Sequence, residues 1–165
     1  MSDEKISDKK REMPGTDALM AILPVLFGII VFLDVNIIGL SDIVTEIIIF
    51  PIRIVAFLFF FIWGLIFIIL SHKAIFGDEH HASNKLLTSG ILARTRNPMY
   101  FGINLIFISV ISLTGSILGL VFWILVFIFL FNQMARYEEN ILEKIFGDEY
   151  LTYKKNVPRW IPKMF

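Results

Sequence analysis

Apolar positions along the chain come in long blocks rather than at a helical or strand period, and each block approaches the roughly 20 residues a helix needs to cross a bilayer. Four spans follow from these blocks, at about 18–40, 47–70, 99–113 and 117–131. Residues 1–17 form a polar segment of mixed charge ahead of them. Only Thr114, Gly115 and Ser116 separate the last two spans, and this turn chemistry predicts a tight antiparallel helical hairpin. Beyond the fourth span the pattern changes to that of an amphipathic helix over about 134–146. At about 100° per residue, Tyr137, Ile141, Leu142, Ile145 and Phe146 share one half of its circumference. Glu139, Asn140, Glu143 and Lys144 share the other. The fold class predicted is all-α: a polytopic membrane protein with about four transmembrane helices, residues 18–165 forming one membrane-embedded domain.

Composition agrees with that pattern. Of 165 residues 56% are hydrophobic and 17 are phenylalanine, more than the interior of a soluble domain of this size can hold. Runs such as Phe59, Phe60 and Phe61 are expected to face lipid. Net charge is zero, which gives no footprint for nucleic acid, but the basic residues are segregated. Four precede the first span, four lie between Ser71 and Asn97 and six follow the last span, so 14 of 15 fall on one side. By the positive-inside rule that side is cytoplasmic, with both termini and the middle loop facing the cytosol. The N-terminal stretch is too long and too acidic for a secretory n-region, so the first block is expected to remain a span. Arg53 is the exception to the segregation. It follows Pro51 near the outer end of the second span, where it either snorkels and pairs with Asp34 or serves a functional role.

Absence of cysteine excludes disulfides, a thiolate nucleophile and thiolate metal ligands. His80 and His81 are adjacent and lack zinc-site spacing, so they read as solvated loop residues and no metal is expected. Candidate chemistry concentrates in two stretches. The first runs from Leu86 through Thr88, Ser89 and Gly90 to Arg94, Thr95, Arg96, Asn97, Pro98, Met99, Tyr100, Phe101 and Gly102. One reading is local: Asn97 as N-cap, Pro98 at the first helical position, and Arg94 and Arg96 as interface anchors. The other is a capped helix start presenting N–H groups and cations to an anion such as an amino-acid carboxylate. In the second stretch Glu139 falls on the solvated face, whereas Glu138 falls in the apolar half. A carboxylate there needs a cation or hydrogen-bond donors, either a basic neighbour or a ligand. Past Gly147, a plausible C-cap, Tyr150, Tyr153 and Trp160 read as interface anchors.

Taken in order, Leu-x-Thr-Ser-Gly, Arg-x-Pro-x-Tyr-x-Gly at the head of a span, Glu-Glu, and Phe-Gly-x-Glu-Tyr-x-x-Tyr-Lys-Lys-x-Val-Pro resemble the isoprenylcysteine carboxyl methyltransferase family, related to the phospholipid N-methyltransferases. The similarity covers about Asn84 to Pro162. It implies S-adenosyl-L-methionine as cofactor, in a cytosolic pocket with contacts from Asn84, Lys85, Leu86, Leu87, Leu92, Asn97, Pro98, Met99, Tyr100 and Glu138. Arg96 is expected to orient the acceptor or the cofactor carboxylate. Three positions depart from the family pattern. The usual Arg-His-Pro is Arg96-Asn97-Pro98, the tyrosine after the glycine turn is Leu92, and Met134 stands where an arginine resembles a substrate-carboxylate clamp in the eukaryotic enzymes. The expected partner is a lipid or prenylated acceptor. A prenylcysteine carboxylate and a lipid amine both remain open, as does a non-catalytic tetraspan protein.

Overall fold

The computed structural model describes residues 13–76 and 86–163. Among these residues the secondary structure is helical throughout. Helix α1 (Thr16–Leu33) runs on through a π-helical turn to Ile38 and stops at Gly39, whose φ of 79° an L side chain rarely adopts. A short helix α2 (Ser41–Ile47), which the apolar blocks do not predict, leads into α3 (Phe50–Phe76). Helix α4 (Pro98–Thr114) ends at Gly115, again left-handed, and Ser116 caps α5 (Ile117–Leu125) by accepting from the Gly119 N–H.

Three helical stretches are long and apolar enough to cross a membrane: Thr16–Ile38, Phe50–Ile75 and Ile117–Phe146. The apolar helix α4 is shorter, 17 residues or about 25 Å. Their lipid-facing character shows in large exposed side chains such as Ile22, Val25, Val55, Phe59 and Phe129. The last stretch joins the expected fourth span to the expected amphipathic helix without a break. Helix α5 continues through a π-helical segment, Val126–Phe131, directly into α6 (Asn132–Phe146). No Gly or Pro lies between Leu120 and Phe146 to break it, and the π turn changes the register without ending the helix.

Helices α3 and α4 approach closely because two glycines face each other. A Cβ on Gly102 would sit 2.8 Å from the Gly64 carbonyl oxygen, and one on Gly64 would sit 3.0 Å from the Gly102 carbonyl. Small residues at such crossings let backbones pack where lipid provides no hydrophobic drive. On its other side α4 runs beside α5 and α6: Trp123 Nε1 donates to Asn104 Oδ1 at 2.9 Å, and the Tyr100 and Phe131 rings lie 5.7 Å apart. Phe27 of α1 meets Phe107 edge-on at 4.7 Å, closing a core of Leu23, Phe27, Val31, Phe107, Phe131 and Met134.

Asp34 does not pair with Arg53. It is fully buried and accepts from the Ser116 hydroxyl (2.6 Å), the Leu118 N–H (3.0 Å) and the Ser41 N–H (3.3 Å). The start of α5 offers unsatisfied N–H groups and a positive dipole end, so a buried carboxylate is satisfied there without a cation. Arg53 instead donates from Nη1 to the Leu113 carbonyl at 2.9 Å and lies over the Phe50 ring.

Candidate functional site

Asn97 and Pro98 open α4 as expected by position, with Pro98 as its first residue. The Asn97 side chain makes no cap hydrogen bond; its Nδ2 donates to the Arg159 carbonyl at 3.4 Å. Three residues into the helix Tyr100 is buried, and its phenol donates to the Glu138 carboxylate. Glu138 is half-buried on α6. The two candidate stretches, 38 residues apart in sequence, therefore meet through this hydrogen bond. The contacts of α4 with the α5–α6 helix, Trp123 with Asn104 and the Tyr100 ring with Phe131, bring them together.

Glu139 overturns its sequence reading. The helical wheel sets it on a solvated face, yet it is 2% exposed, and Arg159 grips both its oxygens from Nε and Nη2 at 2.8 Å each. Arg96 Nη1 lies 3.1 Å from the same carboxylate and Lys154 Nζ at 4.0 Å. The cause is the C-terminal tail, which folds back over this face of α6. The Arg96 N–H donates to the Pro158 carbonyl and the Lys163 N–H to the Arg94 carbonyl, both at 2.9 Å. The Thr95 hydroxyl lies 3.0 Å from the Arg159 and Trp160 carbonyls, and Trp160 Nε1 donates to Asn132 Oδ1 at 3.1 Å. Arg96 is thus no surface anchor: its side chain is 9% exposed and its Nε is buried with no hydrogen-bond partner among the described residues.

The tail aromatics are likewise structural rather than interfacial. Tyr150 is 1% exposed beside Arg96, and burial, followed by the nearby Glu139 charge, pushes its phenol well above the usual range. Tyr153 donates to the Leu92 carbonyl at 2.6 Å, and burial pushes its pKa up to about 12. Hydrogen bonding to Glu139 holds the Arg159 guanidinium above its ordinary value.

Between the C-terminal part of α3 and the segment after residue 86 lies a cleft of about 270 Å³, lined by Leu70, Lys73, Leu87, Ser89, Gly90 and Leu92. Gly90, at φ 61°, starts the single 3₁₀ turn Gly90–Ala93 that forms one wall. Leu86 and Leu87 are half-buried, Leu92 buried and Met99 half-buried. Asn84, Lys85, His80 and His81 lie outside the described residues. Met134 is fully buried in the core, in the cluster that contains Phe131 and Tyr100, so no cation occupies that position. Sequence reasoning missed Arg159, Tyr150 and the inward role of Glu139; the Val-Pro-Arg run of the tail was the available signal.

The sequence profile of the phospholipid methyltransferase family matches residues 47–149. The chain is 33% identical over 92 residues to the protein-S-isoprenylcysteine O-methyltransferase of Schizosaccharomyces pombe, covering 56% of this chain and 39% of that one. It is 33% identical over 86 residues to form B of Arabidopsis thaliana (52% and 42%) and 38% identical over 86 residues to the mouse protein (52% and 30%). The match thus spans well under half the length of these relatives. No solved structure matches. With the profile covering more than half of the residues, including α3, α4 and the α5–α6 helix that carries Glu138, the chain belongs to the phospholipid methyltransferase family.

Proposed function

We propose that this protein transfers a methyl group from S-adenosyl-L-methionine to an amphiphilic acceptor held in the membrane, in the manner of the isoprenylcysteine O-methyltransferases it resembles. The observation that carries this reading is the Tyr100–Glu138 hydrogen bond, which joins the family's two motif halves at one point. The chemistry of the surrounding groups fits the cofactor. A half-buried carboxylate suits its ammonium, the apolar side chains of Leu86, Leu87, Leu92 and Met99 suit its adenosine, and Asn97 and Pro98 shape the helix start beside them. Asn84 and Lys85 complete the proposed contact set. When bound, the cofactor would supply an electrophilic methyl carried on a sulfonium.

Glu138 acts by holding and orienting, and Tyr100 fixes its carboxylate. A deprotonated carboxylate or amine acceptor needs no dedicated base, so alignment and exclusion of water supply the rate. Arg96, with a buried Nε that lacks an acceptor, is proposed to orient the acceptor or the cofactor carboxylate. We further propose that α4 completes a four-helix membrane bundle with both termini cytosolic, the face to which 14 of the 15 basic residues belong. The absence of native cysteine makes single-cysteine accessibility labelling a direct check of that orientation.

A lipid amine as acceptor is the second reading, favoured by the buried Met134 at the position of the carboxylate-clamping arginine. Purified protein titrated with S-adenosylhomocysteine in detergent is expected to bind it, and Glu138→Ala to weaken that binding. Methyl label on a farnesylcysteine analogue would be released by base, whereas label on an amine would persist. Failure to bind S-adenosylhomocysteine at all would remove the methyltransferase reading in favour of an interaction protein.

A further inference from the structure

At the end of α4 remote from Arg96 lies a second cavity, of about 240 Å³, between α2 with the start of α3 and the α4–α5 turn. Its walls are apolar, from Val44, Ile48, Ile52, Ala56, Ile111 and Leu120, with Arg53 set into them. That volume is below the roughly 300–1,000 Å³ of pockets that enclose a whole small molecule, so it suits one part of a longer chain. Polar neighbours are already committed. Ser116 donates to Asp34, Ser112 donates to the Ile108 carbonyl, and Asp34 is satisfied by Ser41, Ser116 and Leu118. Arg53 is not: Nη1 reaches the Leu113 carbonyl, but Nε is buried with no hydrogen-bond partner, and no described carboxylate forms a salt bridge with it. A cation set in an apolar wall without a carboxylate partner is costly unless an anion meets it.

Arg53 also sits about one turn inside the start of α3, near one end of the apolar stretch Phe50–Ile75, and the ends of spanning helices are where head groups are met. We propose that this cavity is a binding site for a membrane glycerophospholipid, its phosphate on Arg53 and one acyl chain along the apolar wall. Guanidinium and phosphate match in charge and in donor geometry, and the phosphate supplies the counter-charge that no described carboxylate gives Arg53. The site lies at the opposite end of α4 from Glu138 and is independent of the proposed methyl transfer.

Native mass spectrometry of the full chain, released from detergent after delipidation and re-addition of phosphatidylglycerol, reads the site directly. Wild type is expected to retain one phosphatidylglycerol, Arg53→Met to retain it about tenfold less tightly, and Arg53→Lys to fall between them. Ala56→Leu keeps the arginine and fills the cavity, so equivalent loss there separates lipid displacement from any folding defect of Arg53→Met. Equal retention in all variants would mean annular lipid only and would overturn the proposal. Oleate competing as well as phosphatidylglycerol would overturn the phosphate assignment, and S-adenosylhomocysteine binding in the same variants is expected to be unchanged.

Discussion

Replacing Glu139 by alanine gives the sharpest separation between the two adjacent glutamates. The substitution removes a carboxylate held bidentately by Arg159 at 2.8 Å and approached by Arg96 at 3.1 Å. Arg96 is left 9% exposed without its counter-charge. Breaking a buried pair from one side costs about 3–5 kcal/mol, because the remaining charge stays desolvated. For a chain of this size each kcal/mol moves the melting midpoint by roughly 2–4 °C, so a fall of roughly 6–20 °C is expected. Glu138 is only half-buried, and its hydrogen bond from Tyr100 is worth about 1 kcal/mol, so the midpoint of Glu138→Ala is expected to fall less than that of Glu139→Ala. Melting followed by tryptophan fluorescence in detergent measures both, since Trp160 is bonded to Asn132 within the tail contact that Glu139 stabilises. Equal midpoints for the two variants, or a Glu139→Ala shift under about 2 °C, would refute the assignment of Glu139 as the tail clamp.

Tyr100→Phe deletes the donor to Glu138 while keeping the ring against Phe131, so S-adenosylhomocysteine affinity measured by calorimetry is expected to fall by about 3- to 10-fold. Gly102→Ala drives a Cβ to 2.8 Å from the Gly64 carbonyl and should cost about 1–3 kcal/mol, whereas Gly28→Ala, with nothing within 4 Å of the new Cβ, should leave the melting midpoint near wild type. Tyr153 has a folded pKa of about 12 against 10.0 for the model phenol, so the stability from its neutral form is complete below pH 10 and is lost as pH rises towards 12. Tyrosinate absorbance should accordingly show it ionising about two units later than an exposed tyrosine, and Tyr153→Phe should remove that late component.

Much of this architecture is written locally. Block length sets the apolar helices, Gly39 and Gly115 end α1 and α4 because a left-handed residue is needed there, and Pro98 starts α4 because its missing N–H is no loss at that position. That a carboxylate in the apolar half of α6 needs a partner was legible from periodicity; that this partner is the Tyr100 phenol was decided by the packing of α4 against α6. The burial of Glu139 was not legible. A helical wheel states which residues share a face; it carries no information about what later covers that face, and the 157–163 tail covers it by pairing with residues 94–97. The same limit explains Asp34, whose nearest cation in sequence reasoning was Arg53 but two of whose three partners, Ser116 and Leu118, come from the start of α5, more than 80 residues away. It explains Arg96, Tyr150 and Trp160 as well, whose composition suits an interface and whose burial depends on the returning tail. Sequence determined the apolar helices, the segregation of charge and the family; the tertiary structure decided which polar groups became each other's partners, because desolvated charges are satisfied by whatever the fold brings within about 3 Å rather than by their neighbours along the chain.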